Sequence, residues 1–197
     1  MEPFLTHLGR AVPLRRSDVD TDQIIPSEWL KRVQRSGFGA GLFSQWRADG
    51  AFVLDRPEYV GASILVAGEN FGTGSSREHA VWALQDYGFR VVVSSRFGDI
   101  FSTNAGQAGL LAVVLPADVI ESLMATVEAD PTTDVSVDLR ARQVCFAGRT
   151  ATFVIEDSTR ERLLGGLDEI AVTERFDSEI GGYERMRPPW LPVVRPC

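Results

Sequence analysis

Lysine is almost missing from this chain: Lys31 is the only one among its 20 basic residues. That reads as genome composition and carries no functional weight. Basic charge is short overall, with 20 Lys and Arg against 27 Asp and Glu and a net charge of −7 over 197 residues. Such a balance supplies no basic face for phosphates, which argues against nucleic acid as the main partner. Cysteine is scarce as well. Cys145 and Cys197 are too few for a disulfide framework and suggest a reducing compartment. They are also too few to ligate an iron–sulfur cluster, which draws several thiolates from one site. Long apolar runs are absent: the longest, Leu110 to Leu115, falls far short of the ~20 residues that span a bilayer. The start, Met1-Glu2-Pro3-Phe4, has neither the basic nor the apolar region of a signal peptide. The expectation is a soluble, cytoplasmic protein without membrane or nucleic-acid partners.

The chain also contains no internal repeat and no low-complexity tract. A chain of 197 residues is long enough for one domain with a self-sufficient core, so a single domain over residues 1–197 is expected. The first sixty residues are irregular apart from a strand near Phe4–Leu14. Gly37, Gly39 and Gly41 fall within five residues and mark a mobile loop. From residue 62 the pattern becomes regular. Residues 62–67, 90–94 and 110–115 read as buried strands, alternating with helices near 77–87, 98–107 and 118–129. Ala80, Ala83, Leu84 and Tyr87 share one helix face, as do Val119, Ile120, Leu123, Met124 and Val127. This alternation predicts βαβ units around a partly parallel sheet flanked by helices, an α/β fold. Short β segments at 135–139, 144–146 and 152–155 predict an antiparallel section. Helical signal returns at 159–164 and 168–176, and the proline-rich tail from Arg187 cannot be helical.

The chemistry concentrates in Gly68-Glu69-Asn70-Phe71-Gly72-Thr73-Gly74-Ser75-Ser76-Arg77-Glu78-His79. The segment lies between a buried strand and a helix start, where backbone N–H groups converge and the dipole favours an anion. A dinucleotide fingerprint needs a third glycine where Arg77 stands. A P-loop needs a lysine that is not there. A hydrolase elbow needs glycine where Glu78 stands. What remains is a glycine-cushioned anion site with the hydroxyls of Ser75 and Ser76 and the guanidinium of Arg77. Two structural readings compete with it. Ser75 and Glu78 have capping-box spacing, and His79 suits packing or hydrogen bonding within the helix better than catalysis. Arg77 in a first helical turn opposes the dipole, and such mismatches cluster at functional sites. Upstream, Asp18-Val19-Asp20-Thr21-Asp22 opens like a calcium loop. It lacks the required glycine at Gln23 and the bidentate acid at Trp29, so a turn held by Asx side chains is the expectation.

These residues carry a resemblance. Asp18 to Pro26 and Gly72 to His79, with Trp82-Ala83-Leu84, Asp86 to Phe89, Phe97 to Phe101, Arg35 to Gly39 and Leu42-Phe43-x-x-Trp46-Arg47, resemble the small subunits of bacterial 3-isopropylmalate dehydratases. These form the leucine-biosynthesis branch of the aconitase superfamily. The similarity covers about residues 4–185 and leaves a divergent tail at 186–197. It implies a swivelling-domain fold in β/β/α layers. It implies no cofactor bound by this chain, and a large subunit that carries a [4Fe–4S] cluster. The implied activity is a hydro-lyase one, interconverting 2- and 3-isopropylmalate through 2-isopropylmaleate. Carried over by motif, Ser75 is the base; Arg77, Ser76, Gly74 and Thr73 bind the substrate's carboxylate end; Leu30, Lys31 and Val33 read its side group. The segment Leu30–Gly41 would close over that group with Phe38 in contact and its glycines as pivots. Two alternatives stay open: the small subunit of a homoaconitase or a methyl-substituted malate dehydratase, and a stand-alone anion-binding protein.

Overall fold

The computed structural model describes residues 1–31, 36–48, 50–75, 77–188 and 190–191. Its strands are β1 (Thr6–Leu14), β2 (Ile64–Ala67), β3 (Val91–Ser94), β4 (Leu111–Val114), β5 (Asp134–Asp138), β6 (Gln143–Phe146) and β7 (Arg149–Thr152). Its helices are α1 (Thr21–Ile24), α2 (Ser44–Arg47), α3 (Glu78–Tyr87), α4 (Asp99–Ala108), α5 (Ala117–Ala129), α6 (Asp157–Gly165), α7 (Glu169–Glu174) and α8 (Asp177–Met186).

All seven strands form one sheet in the order β4-β3-β2-β1-β5-β6-β7. The first four run parallel and the last three antiparallel, as the alternation and the short β segments predict. Strand β1 joins the two halves. Its residues Thr6–Arg10 pair with β5, while Ala11–Leu14 pair with β2. Its burial changes accordingly, from half-exposed to a continuous buried run at Ala11–Leu14. β2 and β3 are buried throughout, as expected of parallel strands covered on both faces. Helices α3 and α4 pack side by side, and α5 lies against β1, β2 and β3. Ile120, Leu123, Met124 and Val127 of α5 enter the core, with Val119 partly covered. One apolar cluster runs from Phe4 to Leu163.

Three expectations need correction. The last β segment is Arg149–Thr152, not 152–155. Ala147 and Gly148 both have positive φ, at 45° and 74°, and form a two-residue turn that starts β7 at once. Val154 instead makes an isolated bridge to Val114. Helix α8 has no counterpart in the sequence reading. Finally, the Gly37–Gly41 stretch is not a free loop. Phe38–Gly41 is a 3-10 turn docked on α3, with Phe38, Leu42 and Phe43 fully buried. A Cβ on Gly39 would stand 2.8 Å from the Tyr87 nitrogen, so glycine here permits backbone-to-backbone contact rather than motion.

Candidate active site

The site forms where β1 and β2 end, at the carboxyl edge of the parallel half, the usual place for ligands in such sheets. After Leu14 the chain turns through Arg16, whose carbonyl accepts from Gly68 N at 3.0 Å. From there the two motif segments zip together. Asp18 N donates to Glu69 O at 2.8 Å, and Gly72 N and Thr73 N donate to Val19 O at 2.7 and 3.2 Å. Thr21 N donates to Thr73 O at 2.9 Å, and Asn70 Nδ2 donates to Asp18 Oδ1 at 2.8 Å. Beyond them Phe71 N donates to Arg96 O and Gly98 N to Phe71 O, tying the loop to the end of β3.

The acidic segment is structural as well as local. Asp20 caps α1: Gln23 N donates to Asp20 Oδ1 at 2.8 Å, and Asp20 N donates to Gln23 Oε1 at 3.0 Å. The reading of these aspartates as turn-forming Asx side chains holds for Asp20, as a capping box, whereas Asp18 and Asp22 bond instead to Asn70 and Arg77.

The second capping box does not form. Helix α3 begins at Glu78 with Arg77 as N-cap, extended at φ −137°, and no side chain caps it. Ser75 is held through its carbonyl, which accepts from Thr21 Oγ1 at 3.0 Å. Thr21 is 2% exposed, so this contact is a fixed post for the loop. The Ser75 side chain is exposed, and no hydrogen bond to its Oγ occurs among the described residues. Arg77 is the N-cap rather than a first-turn residue, still at the positive end of the dipole, where a cation is disfavoured. Its guanidinium, 18% exposed, pairs with the carboxylate of Asp22, which is 55% exposed. Glu78 takes the first-turn position, where an acid suits the dipole.

Thr73 and Gly74 lie at the rim. Both backbone groups of Thr73 are committed to Val19 and Thr21, so only its hydroxyl remains for a ligand. Gly74 has φ 90° and is exposed. Ser76 and Val33 lie outside the described residues. His79 packs as expected, with ring centroids 5.2 Å from Phe38 and 4.7 Å from Trp82. Leu30 and Lys31 close a 3-10 turn, Ser27–Lys31, half-buried and exposed respectively. Phe38 is fully buried beneath α3 and cannot contact a substrate, which corrects the expected role. What sequence reasoning missed is the pairing of Asp22 with Arg77, since 55 residues separate them and no local pattern signals it.

Gly72 sets the course of the loop. Its φ is 74°, and a Cβ there would lie 2.3 Å from Phe101 Cγ, within the Phe71–Phe97–Phe101 aromatic cluster. Gly72→Ala combines an αL penalty with overpacking and should cost about 2 kcal/mol or more. For a chain this size that lowers Tm by about 4–8 °C, which differential scanning calorimetry would show; an unchanged Tm would mean the loop relaxes freely.

Comparison with known proteins decides the family. Residues 1–118 match the aconitase C-terminal domain model. The chain is 66% identical over 194 residues to the 3-isopropylmalate dehydratase small subunit of Parafrankia sp. strain EAN1pec, covering 98% of this chain and 100% of that one. The chain belongs to the 3-isopropylmalate dehydratase small-subunit family. The Acidothermus cellulolyticus small subunit is 63% identical, with 99% of each chain covered. A crystal structure of 3-isopropylmalate dehydratase from Methanocaldococcus jannaschii superposes with a TM-score of 0.68 at 26% identity, over 91% of this chain and 99% of that one. The fold is thus that of the aconitase C-terminal domain, and the family is a hydro-lyase family. As a small-subunit family member, the chain has a large-subunit partner implied by the family's own name.

Proposed function

We propose that this chain, with a large subunit, interconverts 2- and 3-isopropylmalate by dehydration to 2-isopropylmaleate and rehydration, in the cytoplasm, as a step of leucine biosynthesis. On this reading it works as a single swivelling domain over residues 1–197. The observation that carries the reading is the meeting of the Asp18–Asp22 and Gly72–Arg77 segments at one sheet edge, with an exposed Ser75 beside Arg77.

The family implies a [4Fe–4S] cluster, and this chain's residues do not fit one. Among the described residues no three His, Cys, Asp or Glu side chains converge. Cys145 sits on β6 beside Thr150, remote in the sheet order from the Ser75 loop. On the proposed reading the large subunit carries the cluster.

This chain contributes the other half of the chemistry. Ser75 Oγ accepts the proton from the carbon next to the one bearing the hydroxyl, and returns it in the reverse direction. Arg77 holds a substrate carboxylate in a planar, two-point grip, with Ser76, Gly74 and the Thr73 hydroxyl at the same end. The exposure of Ser75 supports a site completed by a partner, because excluding water strengthens the electrostatic interactions that stabilise developing charge.

The test is co-expression with a candidate large subunit, followed by anaerobic assays on isopropylmalate, citrate and homocitrate side by side. Preferential turnover of isopropylmalate is expected; turnover of citrate or homocitrate in its place, or of none, would overturn the assignment. Selectivity should respond to the Leu30–Lys31 turn together with Val33. An apolar pocket discriminates by about 1–3 kcal/mol per methylene. Substitutions at these three positions should shift preference between isopropylmalate and smaller analogues roughly ten- to hundred-fold without abolishing turnover. Unchanged relative rates would remove the turn from substrate reading.

A further inference from the structure

Polar groups are almost excluded from the interior of this chain. Among the described residues only two polar or charged side chains are buried, Thr21 at 2% exposed and Ser94 at 0%. Both serve the loop that carries Ser75. Ser94, at the end of β3, donates from Oγ to Gly68 O at 2.6 Å, where the loop leaves β2. Thr21 Oγ1 donates to Ser75 O at 3.0 Å, at the loop's far end. A buried hydroxyl has to be matched with a partner or it costs stability, so apolar side chains ordinarily fill such positions. Two exceptions at the two ends of one loop point to a path that has to be fixed.

Thr21 uses both of its donors for this. Its backbone N donates to Thr73 O at 2.9 Å and its hydroxyl to Ser75 O at 3.0 Å, with Gly74 at φ 90° turning the chain between them. Thr21 is itself held: it opens α1 behind the Asp20 cap, and Ile25 N donates to its carbonyl at 3.0 Å. Ser75 has no comparable support of its own. Among the described residues its carbonyl makes the residue's one hydrogen bond, and its side chain is exposed. The direction of the Ser75 Cα–Cβ bond, and with it the place of Oγ, is therefore set through the backbone.

We infer that Thr21 is a positioning residue for the proton transfer: its hydroxyl, through the Ser75 carbonyl, aims Ser75 Oγ at the substrate carbon. This rests on the functional reading above. A reacting group displaced by about 1 Å can lose roughly a hundredfold in rate, so the bond bears on kcat well beyond its share in stability. Arg77 is anchored separately, through Asp22 and the start of α3, so the grip on the substrate carboxylate does not depend on Thr21.

The experiment uses the full chain assembled with the large subunit, with rates taken per assembled complex isolated by gel filtration. It compares Thr21→Val, which keeps the shape and removes the hydroxyl, with Thr21→Ser, which keeps the hydroxyl. The substrate is isopropylmalate carrying either hydrogen or deuterium at the carbon that loses its proton. Thr21→Val should lower kcat roughly ten- to hundred-fold and leave KM near the wild-type value. It should also raise the deuterium isotope effect on kcat, because transfer to a displaced Oγ becomes the slow step. Thr21→Ser should recover most of the rate and the wild-type isotope effect. If Thr21→Val does not fold, Thr21→Ala removes the same hydroxyl and is read by the same measurements. Wild-type kcat without the hydroxyl, a slow variant with an unchanged isotope effect, or a serine variant as slow as the valine one would each overturn the positioning role, while wild-type turnover upheld the functional reading. Wild-type complex inactive on isopropylmalate would overturn that reading and this role with it.

Discussion

Ser75→Ala, assembled with the large subunit, should lose turnover by at least 10²–10⁴-fold, the range a positioned acid–base group contributes. Its fold and its association should stay intact. The structure sharpens this expectation. A serine that capped α3 would cost about 1 kcal/mol of stability when removed, but the N-cap position is Arg77 and no side chain caps the helix. Among the described residues, Ser75 is held by its carbonyl, which accepts from Thr21 Oγ1, and alanine keeps that bond. Stability should therefore move by no more than about 0.5 kcal/mol, as for ordinary surface changes. A kinetic loss without a stability loss separates base from scaffold. Near-normal kcat in the variant would show that another group takes the proton.

The same geometry says why the isolated chain should be inert. A helix N-terminus contributes at most about 2 kcal/mol, and its effect fades beyond the first turn. At about 1.36 kcal/mol per pKa unit, that lowers a hydroxyl's pKa by roughly 1.5 units. Ser75 lies two residues ahead of the N-cap, so it receives less than the full amount. Arg77 is nearby in sequence but already paired with Asp22. The remainder must come from enclosure by the partner and from charge placed where the substrate binds. Measurable dehydratase turnover by the purified chain alone would contradict this.

How much of this was legible in the sequence depends on whether the order is local. The strands at 64–67, 91–94 and 111–114 and their helices announce themselves, because apolar periodicity is written along each segment. Residues 15–60 do not. Their short 3-10 turns carry no period, and their order comes from pairs such as Gly72 N to Val19 O and Phe38 N to Asp86 Oδ2, which link distant stretches. Two segments fit a capping box, Asp20 to Gln23 and Ser75 to Glu78, and only the first forms. The carbonyl of Ser75 is committed to Thr21, and Arg77 is itself extended, so the helix begins at Glu78. Ala147 hid the last hairpin, since a non-glycine residue at positive φ is no turn signal. Helix α8 was hidden by Gly181-Gly182, which read as a break rather than a helix interior. The Ser75 and Arg77 loop was recognisable from residue types alone. Its second wall, Asp22, was visible only as part of a turn.

That second wall shapes the expectation for Arg77→Lys. A guanidinium presents two edges, so one N–H can remain on Asp22 while the free edge takes a substrate carboxylate in a planar fork. An ammonium keeps the charge but acts as a point, and it cannot serve both partners in fixed geometry. Hydrogen bonds to charged groups contribute about 1.5–3 kcal/mol, so kcat/KM should fall roughly ten- to hundred-fold, with much of the change in KM. Folding stability should barely move, because an ion pair whose acid is 55% exposed contributes only about 0–1 kcal/mol. Asp22→Asn tests the same arrangement from the other side. It leaves the fork but loosens its anchor, so it should raise KM by less than Arg77→Lys does and leave the proton-transfer step alone. If Arg77→Lys kept wild-type kcat/KM, the guanidinium would be a structural partner of Asp22 and nothing more. If Asp22→Asn proved the more damaging of the two in kcat, the aspartate would itself touch the substrate, and the division of labour between the two loops would have to be redrawn.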